Sequence, residues 1–195
     1  MEIAVVDYKG GNVQSVLFAL ERLGARATLT ADPAVLRQAD KVLFPGEGEA
    51  SSAMQALQEA GLDKVLPTLT QPFLGICLGM QLLGLHSEEN DTPLLGLLPF
   101  TVQRFASDPT HKVPHMGWNN LQALQGPLFA GLSEADHVYF VHSYFAPVGA
   151  YTTAQASHPA AFSAAVQHEN FQGVQFHTEK SGAVGTRILA NFLAL

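Results

Sequence analysis

A chain of 195 residues, 47% of them apolar, can bury one sizeable core, which excludes intrinsic disorder and a small fold stapled by disulfides. Seventeen acidic against ten basic side chains leave a formal net charge of −7, the wrong sign for a protein that tracks phosphates, so no nucleic-acid partner is expected. The single cysteine, Cys77, has no internal partner and points to a reducing compartment, and Met1–Asp7 lacks the basic start and long apolar stretch of a signal peptide. With no window near the roughly 18 consecutive apolar residues of a membrane span, a cytoplasmic protein without a membrane partner is expected.

In chain order, Ile3–Val6, Lys41–Phe44 and Pro72–Ile76 are apolar runs bounded by Gly, Pro or Asp and short enough for buried strands. Helical patterns separate them. Asn12 caps one that carries Val16, Leu17, Leu20 and Leu23 and stops at Gly24. Asp32-Pro33 opens a short second helix, and Met54, Leu57 and Gln58 lead a third toward Gly61. This alternation predicts a mostly parallel central sheet with helices on both faces.

The second half reads differently. His137–Phe145, Tyr151–Ser157, Ala161–His168 and Gln172–His177 are β-rich and closely spaced, which predicts hairpins and a mixed or antiparallel C-terminal portion. Ser181–Leu195 closes the chain as a helix with Ile188, Leu189, Phe192 and Leu193 on one face. No repeat, low-complexity tract or linker interrupts the pattern, so a single α/β domain over residues 1–195 is expected.

The most informative stretch is Gly75-Ile76-Cys77-Leu78-Gly79-Met80-Gln81. It sets a cysteine between an apolar strand and a helical pattern, with glycine two residues before and two after. That is the pattern of a nucleophile elbow, in which small neighbours allow a strained backbone and a close strand–helix approach. The free N–H groups of the helix that follows favour a thiolate. A lone cysteine is ordinarily a small buried hydrophobe, and it is the glycine frame that favours the reactive reading.

A thiolate nucleophile needs an imidazole base, and the imidazole needs a carboxylate to fix its tautomer. Gln175-Phe176-His177-Thr178-Glu179 supplies both at the end of a strand-like run, where residues two apart project to one side. Phe44-Pro45-Gly46-Glu47-Gly48 follows another strand, and its glycines can offer backbone N–H groups to an anion. It lacks the Lys-Ser/Thr of a phosphate loop, and Tyr8-Lys9-Gly10-Gly11-Asn12 lacks the dinucleotide glycine pattern, so an oxyanion hole fits it better.

These motifs, in this order and over essentially the whole chain, resemble the class I (triad-type) glutamine amidotransferases. Asp7–Asn12, His115-Met116-Gly117-Trp118-Asn119, Val141-His142-Ser143-Tyr144 and Glu179-Lys180-Ser181 narrow the resemblance to the glutaminase subunits of imidazole glycerol phosphate synthases. The resemblance implies Cys77 as nucleophile, His177 as base and then acid, and Glu179 as the orienting carboxylate. It implies the Leu78 amide and the Gly46, Glu47, Gly48 segment as oxyanion donors, with a peptide flip available to the latter. Gln81, Glu89, Ser143 and Tyr144 match positions that hold glutamine, with Glu89 suited to its α-ammonium group. Asn12, Trp118 and Lys180 match positions facing a partner. By the same resemblance that partner is a separate (β/α)8-barrel cyclase, joined as a heterodimer, which uses the ammonia to make imidazole glycerol phosphate and an aminoimidazole carboxamide ribonucleotide. No cofactor or metal is implied.

Thr178 and the pair Glu47 and Glu49 depart from the family pattern; Thr178 stands where Pro is common, and Glu47 is expected to point outward, away from a developing oxyanion. Pro114 between His111 and His115 argues against a helical metal pair, and a supporting role is open to His142. Two other functions fit the same motifs less well: the glutaminase of a pyridoxal phosphate or anthranilate type of synthase, and a catalytically dead module that keeps the fold.

Overall fold

The computed structural model describes residues 1–10, 13–106 and 110–195. Asn12, expected as a helix cap and a partner contact, lies outside the described residues. Strand β1 (Ile3–Val6) pairs in parallel with β2 (Ala27–Thr30) on one side and β3 (Lys41–Gly46) on the other. Next come β4 (Phe73–Cys77) and β13 (Phe171–Val174), both parallel to the growing sheet. Antiparallel β12 (Ala161–His168) and β11 (Thr152–Ser157) complete a seven-stranded sheet.

The apolar runs are continuous in β1, β3 and β4 because each is buried on both faces. Successive side chains alternate between two cores. Ala4, Val6, Val42 and Phe44 meet α2 (Pro33–Gln38), α3 (Ala50–Glu59) and α4 (Leu62–Val65). Ile3, Val5, Leu43, Leu74 and Ile76 meet α1 (Val13–Arg22) and α6 (Gly182–Ala194) on the opposite face. Asp32 caps α2 as its sequence predicts, accepting from the Ala34 N–H at 2.8 Å.

Several elements differ from the expectation. Strand β2 was not foreseen; it lies at the sheet edge with no fully buried position, so it carries no apolar run. The run His137–Phe145 bends at Ser143 into β9 (His137–His142) and β10 (Tyr144–Phe145). Strand β9 leaves the main sheet and forms a ribbon with β8 (His115–Asn120), while β10 joins β7 (Thr101–Arg104) beside β5 (His86–Ser87) and β6 (Thr92–Pro93). The run Gln172–His177 ends as a strand at Val174, and His177 introduces a 3-10 turn over Thr178–Lys180.

Candidate active site

Cys77 is the last residue of β4, and its φ of 56° and ψ of −111° lie where few L-residues settle. The flanking glycines are required by contact. A Cβ on Gly79 would lie 1.8 Å from the Phe44 carbonyl oxygen, and one on Gly75 would lie 2.6 Å from the Gly79 carbonyl. The helix after the elbow, α5 (Leu78–Gln81), is a single turn, shorter than the sequence suggests. A helix this short has little dipole of its own, so it lends a thiolate at most the N–H groups of its first turn.

His177 and Glu179 meet through the 3-10 turn, not through strand alternation. The Nδ1 of His177 lies 2.7 Å from Glu179 Oε1, with both side chains almost wholly buried, and the second Glu179 oxygen is buried without a partner among the described residues. Ser181 holds this turn: its hydroxyl donates to the His177 carbonyl at 2.6 Å and accepts from the Tyr139 N–H at 3.0 Å. The His177 N–H donates back to the Tyr139 carbonyl at 2.9 Å, which ties the turn to β9. Burial alone would discharge the His177 ring, but hydrogen bonds to Cys77 and Glu179 and their negative charge prevail and push it up to about 10.

These groups open onto a cleft of about 430 Å³ that takes in Leu78, Gln81, Glu89, Ser143, Tyr144, Glu47, Gly48 and Lys180 along with Cys77 and His177. Glu179 stands behind His177, and Gly46 lies beneath the floor, where a Cβ would strike the Gly79 amide at 2.7 Å. Glu89 is half-buried and raised above the usual carboxylate range by that burial, against a bond to its Oε2 from the Ala50 N–H at 2.7 Å. One carboxylate oxygen therefore caps the start of α3 while the side chain lines the cleft. Trp118 lies apart, on the outer face of the β8–β9 ribbon, 57% exposed and edge-on to Tyr139.

Glu47 does not turn away from the site. Its Oε1 lies 3.6 Å from Lys180 Nζ, and its carboxylate approaches His177 and Glu179, with ligand atoms of the three within 4.8 Å of one another. The Lys180 charge is the physical reason, since it offers the carboxylate a partner at the rim. The same trio could hold a cation by distance, yet His177 is already joined to Glu179, and Glu47 to Lys180.

Two groups in contact with the site had no role from sequence reasoning. The Nε2 of Gln175 lies 3.8 Å from Cys77 Sγ, and Gln175 is fully buried. His115 forms a buried pair with His142, ring nitrogens 3.0 Å apart, and not a metal pair with His111. The spacing Gln175-x-His177 was a usable signal, since it puts both residues at the end of one strand-like run.

Among the described residues no helix is long and apolar enough to cross a membrane. The family model described as glutamine amidotransferase class-I matches residues 4–195. A relative from Bacteroides fragilis (strain YCH46), imidazole glycerol phosphate synthase subunit HisH, is 50% identical over 196 aligned residues, with all of both chains covered. Another from Legionella pneumophila (strain Paris), imidazole glycerol phosphate synthase subunit HisH 2, is 50% identical over 99% of this chain and 98% of its own. A solved glutamine amidotransferase superposes with a TM-score of 0.76 at 20% identity, over 98% of this chain and 97% of that one. PurLQS from Thermotoga maritima follows at 0.70 and 17%, over 99% and 97%, so both attest the fold. The chain belongs to the class I glutamine amidotransferases. Within that class its full-length relatives at half identity carry the imidazole glycerol phosphate synthase subunit name.

Proposed function

We propose that this chain is the glutaminase of an imidazole glycerol phosphate synthase, hydrolysing glutamine in a single domain in the cytoplasm and delivering ammonia to a (β/α)8-barrel cyclase. The observation that carries the reading is the buried His177–Glu179 pair, its Nδ1 and Oε1 2.7 Å apart, with His177 lining the same cleft as the elbow cysteine. Full-length relatives with the synthase name support the choice of acceptor.

In this reading the Cys77 sulfur attacks the side-chain carboxamide carbon of glutamine, and the carbonyl oxygen becomes an oxyanion held by the Leu78 amide and the Gly46–Gly48 segment. Each such donor is worth about 3 kcal/mol in a dry site. His177, protonated at the start, gives its proton to the departing nitrogen, and ammonia leaves. The same ring then takes a proton from water as it attacks the thioester, glutamate is released, and the thiolate is restored. Glu179 holds the ring by its Nδ1–H and balances its charge. Glu89 faces the substrate's α-ammonium, and Gln81, Ser143 and Tyr144 line its length.

Shielded transfer matters, because ammonia in neutral water becomes ammonium and loses its nucleophilic lone pair. The test is glutamate release from glutamine by the chain alone and with a barrel cyclase plus its ribonucleotide ligand. Release that rises in the mixture and vanishes in Cys77→Ala is expected. Undiminished release by Cys77→Ala would sink the assignment of the nucleophile, and equal release with and without the cyclase would sink the partner.

A further inference from the structure

We propose that Gln175 is a further residue of the reaction, its amide N–H aimed at Cys77 Sγ by hydrogen bonds that run from the Tyr144 carbonyl through Gln81. This deepens the proposed function and rests on Cys77 being the nucleophile.

Every link of the chain has one possible direction. At the outer end, Asn119 Oδ1 accepts from the Asn120 N–H at 2.9 Å while its Nδ2 donates to the Ser157 carbonyl at 3.1 Å, which fixes the amide's orientation. The Nδ2 therefore also donates to His115 Nε2, 3.4 Å away, and the His115 proton sits on Nδ1. That Nδ1–H donates to His142 Nε2 at 3.0 Å, so His142 keeps its proton on Nδ1 and donates to the Tyr144 carbonyl at 2.8 Å. The same carbonyl accepts from Gln81 Nε2 at 2.8 Å, and Gln81 Nε2 also donates to Gln175 Oε1 at 2.9 Å. With its oxygen committed, Gln175 can present only Nε2 to the sulfur, 3.8 Å away.

Both imidazoles are neutral, so His142 adds a donor to the Tyr144 carbonyl without bringing a charge beside the cleft. Burial lowers His142 to about 3 and His115 to about 4, in each case with a neighbouring histidine adding to the effect. Gln175 is wholly buried, so water cannot replace its partners. An amide at such a place is poorly satisfied by a thiol, a weak acceptor, and well satisfied by a thiolate. Gln175 thus favours the form of Cys77 that attacks, while Gln81 links that preference to the glutamine cleft.

Alkylation of Cys77 by iodoacetamide in the full chain tests this without needing glutamine turnover. Gln175→Met keeps length and removes both polar ends. It is expected to slow alkylation and kcat by about tenfold to a hundredfold, the loss of one charge-assisted hydrogen bond, with KM within about threefold. Gln175→Glu retains an acceptor for Gln81 but no N–H, and it carries the test if the Met variant does not fold; the same losses are expected. Alkylation or kcat within threefold of the parent in a folded variant would overturn the proposal. Loss confined to thermal stability would mark a purely structural residue and overturn it equally. Should Cys77→Ala retain glutamate release, the fault would lie with the nucleophile and not with Gln175.

Discussion

The Lys180 ammonium stands 3.6 Å from the Glu47 carboxylate, so the residue that ends the His177 turn holds the residue that follows the last glycine of β3. Both side chains are more than a third exposed, and solvent screening leaves such a pair little weight in stability. Its weight is local. A carboxylate beside an oxyanion position opposes the charge that develops there, and Lys180 offsets it. In the isolated chain, Lys180→Ala should lower kcat for glutamate release by about threefold to tenfold, the scale of one unit charge at a few ångströms in a partly wet site. Adding Glu47→Gln should restore most of the loss. Steady-state kinetics of the single and double variants decide it, and a double variant no faster than Lys180→Ala would refute the charge argument.

Stability on the alkaline side should report His177. A base whose folded pKa stands above its unfolded value binds its proton more tightly in the folded state. Its contribution is therefore complete below pH 6.5 and is lost as pH rises toward about 10. Urea denaturation at pH 7, 8 and 9 should give falling free energies of unfolding. In Glu179→Gln, which loses the charge but keeps an acceptor for the ring, the fall should be shallower. Parallel profiles for parent and variant would exclude His177 as the source.

The acid side has the opposite origin. His115 and His142 are held neutral by burial, at about 4 and about 3, whereas their unfolded forms take up protons near 6.5. Unfolding then binds protons, so stability declines as pH falls from 6.5 toward those values. His142→Phe fits a ring into a site already walled by Phe105, Phe140 and Phe162. The variant should be less stable at pH 7, because the Tyr144 carbonyl loses a donor, yet should lose less on going to pH 5. An unchanged slope in urea titrations at pH 7, 6 and 5 would count against the buried pair.

The parallel half was legible because β1, β3 and β4 are buried on both faces and announce themselves as unbroken apolar runs. The elbow was legible for a steric reason, since only glycine can stand where Gly79 meets the Phe44 carbonyl. The ribbon was not. Along β8, buried His115 alternates with exposed Met116 and Trp118, so its inner face is written in polar residues that satisfy one another. Strand periodicity was also the wrong device for His177 and Glu179, which meet through a 3-10 turn fastened by Ser181. Gln175 escaped notice because its partners, Gln81 and Cys77, are more than ninety residues away in the chain.

The outer face of that ribbon gives the last prediction. Met116 and Trp118 are 63% and 57% exposed, two large apolar side chains on a surface strand, and Trp118 stands edge-on to Tyr139. Removing an exposed indole forfeits little packing, so Trp118→Ala should change the free energy of unfolding by about 0.5 kcal/mol or less. An aromatic anchor at the centre of an interface is worth about 2 kcal/mol or more on truncation, because it fills a pocket that water cannot refill well. Calorimetric titration of the variant with the barrel cyclase should therefore show affinity at least about tenfold weaker than the parent's, with most of the change in the dissociation rate. An affinity unchanged within twofold would remove the β8–β9 ribbon from the interface and leave its exposed apolar face without a partner role.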